Sequence, residues 1–278
     1  MRVCLAQMRS TADLSANLAA VRGIAARASG EGADLLCLPE SALYRGPFEP
    51  AAVERLDGPA VRALAGIARE NGLHVSVGGL WTQSADPARP YNTHLVLAPD
   101  GAVMAAYHKL HLFRLDDPDC TEDESACTTA GQHIVTVDVL GIRIGLSICY
   151  DLRFPELYRA LYDRGATVLL IPSNFSRVTG QGHWEPLLRA RAIENLCYVL
   201  APAQFGSDSA GFASYGHTMA IDPWGAVLRE TADGPAQVVL DIDEQVVGKC
   251  RRRLRSPDHR RADVYGGMMT PVPGGERG

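Results

Sequence analysis

Short apolar runs that recur between stretches of helical spacing constrain this chain more than any other feature. Ala33-Asp34-Leu35-Leu36-Cys37-Leu38 and Thr167 to Ile171 are too short for helices, and each stops at a proline, Pro39 and Pro172. Runs of this kind read as strands buried on both faces, which requires a sheet covered on each side. Val3 to Ala6, Leu73 to Leu80, Ile142 to Ile148 and Cys197 to Ala201 give further strands. Apolar residues at helical spacing run from Asp13-Leu14 to Ala28, from Pro59 to Glu70, from Pro155 to Asp163 and from His183 to Asn195. Gly30 and Gly32, Asn71-Gly72 and Gly165 end the first three, while Gly180 and Gly182 read as a loop before the fourth. The alternation of strand and helix predicts a layered α/β fold.

Two turn signals add hairpins to that plan. Pro99-Asp100-Gly101 joins Asn92 to Ala98 with Ala102 to Tyr107, and Leu140-Gly141 joins Ile134 to Val139 with Ile142 to Ile148. Thr218 to Asp222, Ala226 to Arg229 and Gln237 to Asp241 are expected to complete a second sheet, and a polar helix from Asp243 leads into a Pro- and Gly-rich tail. Arg114 to Gln132 shows no period and many acids, so it reads as one long loop of the functional or mobile kind. Two similar halves emerge, and two sheets packed face to face with helices outside would bury strands this apolar. With 278 residues, 46% of them hydrophobic, and no Pro/Ser-rich linker, residues 1–278 are expected to form a single domain.

A net charge of −5 argues against a nucleic-acid surface. The start of the chain lacks the apolar core of a signal peptide, and no run of about 18 apolar residues is present to span a bilayer, so no membrane role and a cytoplasmic location are expected. Seven cysteines at irregular spacing predict free thiols rather than a disulfide framework.

Three chemically distinct side chains stand at strand ends: Glu40 after Pro39, Lys109 after the second strand of the first hairpin, and Cys149. Cys149 lies in Gly145-Leu146-Ser147-Ile148-Cys149-Tyr150-Asp151-Leu152-Arg153-Phe154-Pro155-Glu156, where a buried strand meets a helix that opens on Pro155. Backbone N–H groups at such a turn can lower a thiol pKa and bind an oxyanion. Amide hydrolysis by a thiol needs a proton acceptor, a stabiliser of the tetrahedral oxyanion and an acid for the departing nitrogen. A carboxylate, an ammonium and a thiol meet those needs. Competing readings are a buried structural cysteine, a zinc site from His108, His111, Cys120 and Cys127, whose spacing suits zinc modules poorly, and a serine hydrolase, for which a G-x-S-x-G elbow is lacking.

The wording around the three residues goes further than their spacing. Leu38-Pro39-Glu40-Ser41, Tyr107-His108-Lys109-Leu110-His111-Leu112-Phe113 and the Cys149 to Leu157 stretch closely resemble, in order, the three catalytic blocks of the nitrilase superfamily of carbon–nitrogen hydrolases. The likeness continues through 179–185, 189–195 and 215–225 and so covers nearly the whole chain. It implies a four-layer α-β-β-α sandwich with neither metal nor organic cofactor. It also implies Glu40 as general base, Cys149 as nucleophile, and Lys109 as oxyanion stabiliser acting with the backbone N–H of Tyr150. A second glutamate orients the lysine in many members; Glu124 matches it best, with Glu122 as a shifted alternative.

Within the superfamily the resemblance is to the Nit branch, which implies an amidase for a small carboxylate-bearing amide. Deaminated glutathione is the leading candidate substrate, with alpha-ketoglutaramate and N-carbamoyl amino acids as alternatives, and a catalytically inactive interaction protein of the same fold as the non-enzymatic one. Tyr150, Asn174, Phe175 and Thr179 are expected to line the pocket. The family habit of association implies a homodimer or higher homo-oligomer, with helix Pro155 to Asp163 and the tail 251–278 as subunit contacts.

Overall fold

In the computed structural model, which describes residues 1–117 and 120–265, side-chain alternation along the central strands divides the interior in two. On β1 (Arg2–Gln7) and the parallel β2 (Leu35–Leu38), Val3, Leu5, Leu35 and Cys37 face one core, and Cys4, Ala6, Leu36 and Leu38 face another. The second core is closed by α1 (Leu14–Gly30), through Val21, Ile24 and Ala28, and by α2 (Pro59–Asn71), through Val61, Leu64 and Ile67. Asp13 caps α1 by accepting from the N–H groups of Ser15 and Ala16. Gly72 ends α2 in the left-handed conformation that a non-glycine residue adopts at a cost. β3 (His74–Thr82), β4 (Tyr91–Leu97) and β5 (Val103–His108) extend the sheet, the last two as the expected hairpin.

After a small antiparallel pair, β6 (Arg114–Asp117) and β7 (Cys120–Asp123), the chain begins a second sheet with β8 (Thr136–Val139) and β9 (Ile142–Leu146). α3 (Pro155–Asp163), β10 (Val168–Leu170), α4 (Arg177–Asn195) and β11 (Tyr198–Ala201) follow. A second small pair, β12 (Phe205–Ser207) and β13 (Ala213–Tyr215), precedes β14 (Met219–Ile221), β15 (Val227–Glu230) and β16 (Ala236–Asp241), and α5 (Glu244–Arg253) and α6 (Ala262–Tyr265) close the described chain. The two six-stranded sheets run β16-β1-β2-β3-β4-β5 and β15-β14-β11-β10-β9-β8. Val3, Leu5 and Leu35 from the first share a core with Ile144, Leu146 and Leu170 from the second, and that core continues to Leu157, Trp184 and Leu188 on α3 and α4. The order helix, sheet, sheet, helix is the expected four-layer sandwich.

Three expectations need correction. Gln237 to Asp241 does not join the second sheet: β16 pairs antiparallel with β1, Arg2 opposite Asp241. Gln7 carries the chain across, its Nε2 donating to the carbonyls of Ala232 (2.7 Å) and Gly234 (2.8 Å). Arg114 to Gln132 is not one loop, because β6 and β7 pair by backbone bonds; a stretch of sequence this rich in acids leaves no hydrophobic period to read. Helix α4 begins at Arg177 rather than His183, with Ser176 accepting from the N–H of Val178 as its cap. Gly180 serves packing, since a Cβ there would sit 2.3 Å from the Tyr215 ring, while nothing lies within 4 Å of one on Gly182.

Candidate active site

Strands β2, β5 and β9 end at one place, and each delivers one of the three residues. Glu40 follows β2 by two residues, Lys109 follows β5 directly, and Cys149 opens a short 3-10 turn (Cys149–Arg153) after β9. β3 is shaped to let them meet. Its register slips between Val77 and Leu80, where Gly78 and Gly79 stand; a Cβ on Gly79 would lie 2.3 Å from Ser41 N, and one on Gly78 2.4 Å from the Pro172 ring. Gly79 has φ +73°, so both its conformation and its contacts require glycine.

Glu40 is 5% exposed and fully engaged. Its Oε1 accepts from Lys109 Nζ at 3.2 Å and Asn92 Nδ2 at 3.0 Å, and its Oε2 accepts from the Asn174 backbone N–H at 2.7 Å. Glu124 holds Lys109 from the other side: Oε2 accepts from Nζ at 2.7 Å and from the Phe113 N–H at 2.8 Å, while Oε1 accepts from Asn92 Nδ2 at 2.9 Å. Between the two sequence alternatives, Glu124 is thus the residue on the lysine, and Glu122 lies at the cavity edge. Burial works against the Lys109 charge, but Glu124 and Glu40, aided by Cys149, outweigh it and hold the ammonium well above the ordinary lysine range.

Cys149 is 7% exposed and sits at φ +43°, a left-handed conformation costly for a residue with a Cβ. Its N–H donates to Pro172 O at 3.0 Å. Two residues on, buried Asp151 ties this turn to the lysine strand. It accepts from the Ile148 N–H (2.9 Å), the His111 N–H (3.1 Å) and the Tyr107 hydroxyl (2.7 Å), so residues flanking Lys109 and Cys149 share one carboxylate. The thiol lies beside the Glu40 carboxylate and the Asn174 N–H, and both act on its ionisation. Its pKa is not lowered, as the turn suggested. Burial and then the neighbouring Glu40 charge push it well above the usual value, against the opposing pull of Lys109 and the Asn174 N–H. The resting thiol is therefore protonated and stands beside a carboxylate able to take its proton.

These groups form the floor of a cavity of about 270 Å³. All four residues expected to line the pocket do line it. Tyr150 meets Phe113 and Phe154 edge-on at 5.2 and 5.4 Å. Asn174 accepts from the Ser214 hydroxyl, Phe175 packs on Trp184 at 5.0 Å, and Thr179, in the first turn of α4, presents a buried Oγ1 without a partner.

Sequence reasoning missed two further residues. Asn92, the bridge between both glutamates, could have been noticed as an amide at the start of an apolar strand. Arg153 lies in the cavity with its guanidinium over the rings of Phe175 (5.2 Å) and Tyr150 (5.8 Å), donates to His183 Nδ1 at 3.2 Å, and has no carboxylate partner among the described residues. The zinc reading finds its histidines engaged elsewhere: His108 stacks on Tyr91 and bonds Thr93, and His111 stacks on Phe154 and bonds Asp151. Among the described residues no group of three or more His, Cys, Asp or Glu is arranged to hold a metal ion.

The family model described as carbon-nitrogen hydrolase matches residues 2–252. Human deaminated glutathione amidase is 40% identical over 97% of this chain and 85% of its own length. The crystal structure of the C. elegans NitFhit protein superposes with a TM-score of 0.88 at 39% identity, covering 95% of this chain and 66% of that one. Saccharomyces cerevisiae Nit3, a member of branch 10 of the nitrilase superfamily, superposes with a TM-score of 0.82 at 27% identity, covering 94% of this chain and 96% of that one.

Proposed function

Because this chain belongs to the carbon–nitrogen hydrolase family, we propose that it cleaves a small carboxylate-bearing amide through a thioester on Cys149, with deaminated glutathione as the leading substrate. It is a hydrolase acting on amides, and what remains to be assigned is which groups act and on what. One observation carries the reading: a protonated thiol beside Glu40, whose carboxylate also accepts from a lysine held in its charged form.

In this reading Glu40 takes the thiol proton as sulfur attacks the amide carbon. Lys109 Nζ and the Tyr150 N–H, at the open N-terminus of the 3-10 turn, stabilise the oxyanion. The C–N bond then breaks as Glu40 passes the proton to the leaving nitrogen, and water, deprotonated by Glu40, releases the acid from the thioester. Glu124 acts through Lys109 and positions it.

The substrate assignment rests on the human relative's name and on Arg153, a cavity guanidinium without a carboxylate of its own, which suits a substrate carboxylate. Tyr150, Phe175, Asn174 and Thr179 complete the substrate surface. We take residues 1–278 as one domain that works as a homo-oligomer. Arg260 pairs with Asp163 at 2.6 Å, which ties the tail to the C-terminal end of α3; the part of the tail at 266–278 lies outside the described residues. No helix among the described residues is long and apolar enough to cross a membrane, and free thiols at Cys4, Cys37, Cys127, Cys149, Cys197 and Cys250 among the described residues fit a cytoplasmic setting.

Purified enzyme assayed with deaminated glutathione, alpha-ketoglutaramate and N-carbamoyl amino acids tests the substrate. Highest kcat/KM is expected for deaminated glutathione; turnover of the carbamoyl compounds alone would overturn the amidase reading.

A further inference from the structure

A second cavity, of about 240 Å³, adjoins the first, and the two share two lining residues, Tyr44 and Trp81. It is apolar over most of its surface, with Ala12, Leu43, Ala52 and Leu80 among its lining residues and Glu49 and Glu54 as its acids. The shared residues are both aromatic, and their rings pack on each other. Trp81 is on β3, two residues beyond the Gly78-Gly79 bulge, and its ring packs between Tyr44 (centroids 5.5 Å, 44°) and Phe48 (5.1 Å, 59°). Its carbonyl accepts from the Glu54 N–H at 2.8 Å, and the Tyr44 hydroxyl donates to Pro47 O at 3.1 Å, so each ring is anchored through its own segment.

We propose that Tyr44 and Trp81 are specificity-determining residues: a wall that limits substrate length by closing the reaction cavity off from an apolar compartment nearly its own size. The proposal deepens the amidase reading by naming the class excluded, amides with an extended aliphatic segment. The wall keeps the enzyme on short, polar substrates. Removing one ring joins the compartments, and each methylene then buried favours binding by about fourfold.

The test uses the whole protein and reads Cys149 directly. Straight-chain N-alkyl iodoacetamides from methyl to octyl are reacted with wild type, Trp81→Ala, Trp81→Phe and Tyr44→Leu, and alkylation of Cys149 is followed by mass spectrometry with peptide mapping. In wild type the rate is expected to fall steeply along the series. In Trp81→Ala and Tyr44→Leu the octyl-to-methyl ratio should rise at least tenfold, with Trp81→Phe between. An unchanged ratio in a variant with a native circular dichroism spectrum, or a wild-type protein that takes the octyl reagent as fast as the methyl one, overturns the wall. Tyr44→Leu serves if Trp81→Ala does not fold. Because alkylation needs no turnover, a protein that hydrolyses none of the three substrate classes would sink the amidase reading without touching this ratio.

Discussion

The floor of the reaction cavity and its rim are built on opposite terms. On the floor, Glu40, Lys109 and Glu124 are buried or nearly so, and every carboxylate oxygen and the ammonium has partners supplied by strand ends, by Asn92 and by backbone N–H groups. At the rim, Glu122, Asp208 and Arg153 come from the two small hairpin regions and the turn after Cys149, and Glu122 and Asp208 are like charges close enough to raise the Glu122 pKa. Buried charges persist only where geometry repays desolvation, so the floor tolerates one arrangement. Partly exposed charges interact weakly through water and can vary. In the proposed mechanism, reaction type thus belongs to the rigid part of the molecule and substrate choice to the adjustable part.

The comparison breaks first if a floor residue can be lost cheaply. Cys149→Ala should lower kcat/KM by about a thousandfold or more, because no other group forms the acyl bond, while the thermal melt keeps its cooperativity. Cys149→Ser should do nearly as much. By contrast Cys197, fully buried with its Sγ donating to Ala166 O and Asn195 O, should be catalytically silent when changed to alanine. An active Cys149→Ala enzyme would remove the thiol from the mechanism.

A smaller effect sharpens the account of the floor. Glu40 raises the Cys149 pKa and Lys109 lowers it, so removing the carboxylate charge while leaving the ammonium should bring the thiol down. In Glu40→Gln the pH profile for Cys149 alkylation by iodoacetamide should move to lower pH, even as turnover is lost. A profile that stays in place or moves upward would mean that the two groups are not coupled as the geometry indicates.

How legible each part was in the sequence follows from the same contrast. The strands before Glu40 and Cys149 are short, largely buried apolar runs, and burial leaves a mark in the residues themselves, whereas the edge strand before Lys109, with Val103 and Met104 exposed, was legible through its Pro99-Asp100-Gly101 turn. The family resemblance then tied those exits to one reaction. Glu124 was legible only through that resemblance, and separating it from Glu122 needed the bond to Lys109, since two acids two residues apart on a polar hairpin look alike. The β6–β7 pair was illegible because backbone bonds hold it. β16 was assigned to the wrong sheet because strand pattern reports burial, not partner; the side chain of Gln7, far away in sequence, decides where that segment goes. Asn92 was missed because one amide in a strand carries no period.

The smallest effect tests the rim. Burial, Asp208 and Glu124, in that order, raise the Glu122 pKa, so its charge is lost at a higher pH than for an ordinary glutamate as the solution is acidified. An anionic substrate meets less repulsion once that charge is gone, and KM should therefore fall as pH drops through the Glu122 transition. Glu122→Gln fixes the neutral state: KM for a carboxylate-bearing amide should fall about two- to threefold at neutral pH with kcat unchanged, the acid-side dependence of KM should flatten, and 0.3 M salt should shrink the difference from wild type. Measuring kcat and KM separately across pH decides it, because a drop in kcat at constant KM would place Glu122 with the lysine and its glutamates, and the division between floor and rim would fail at that residue.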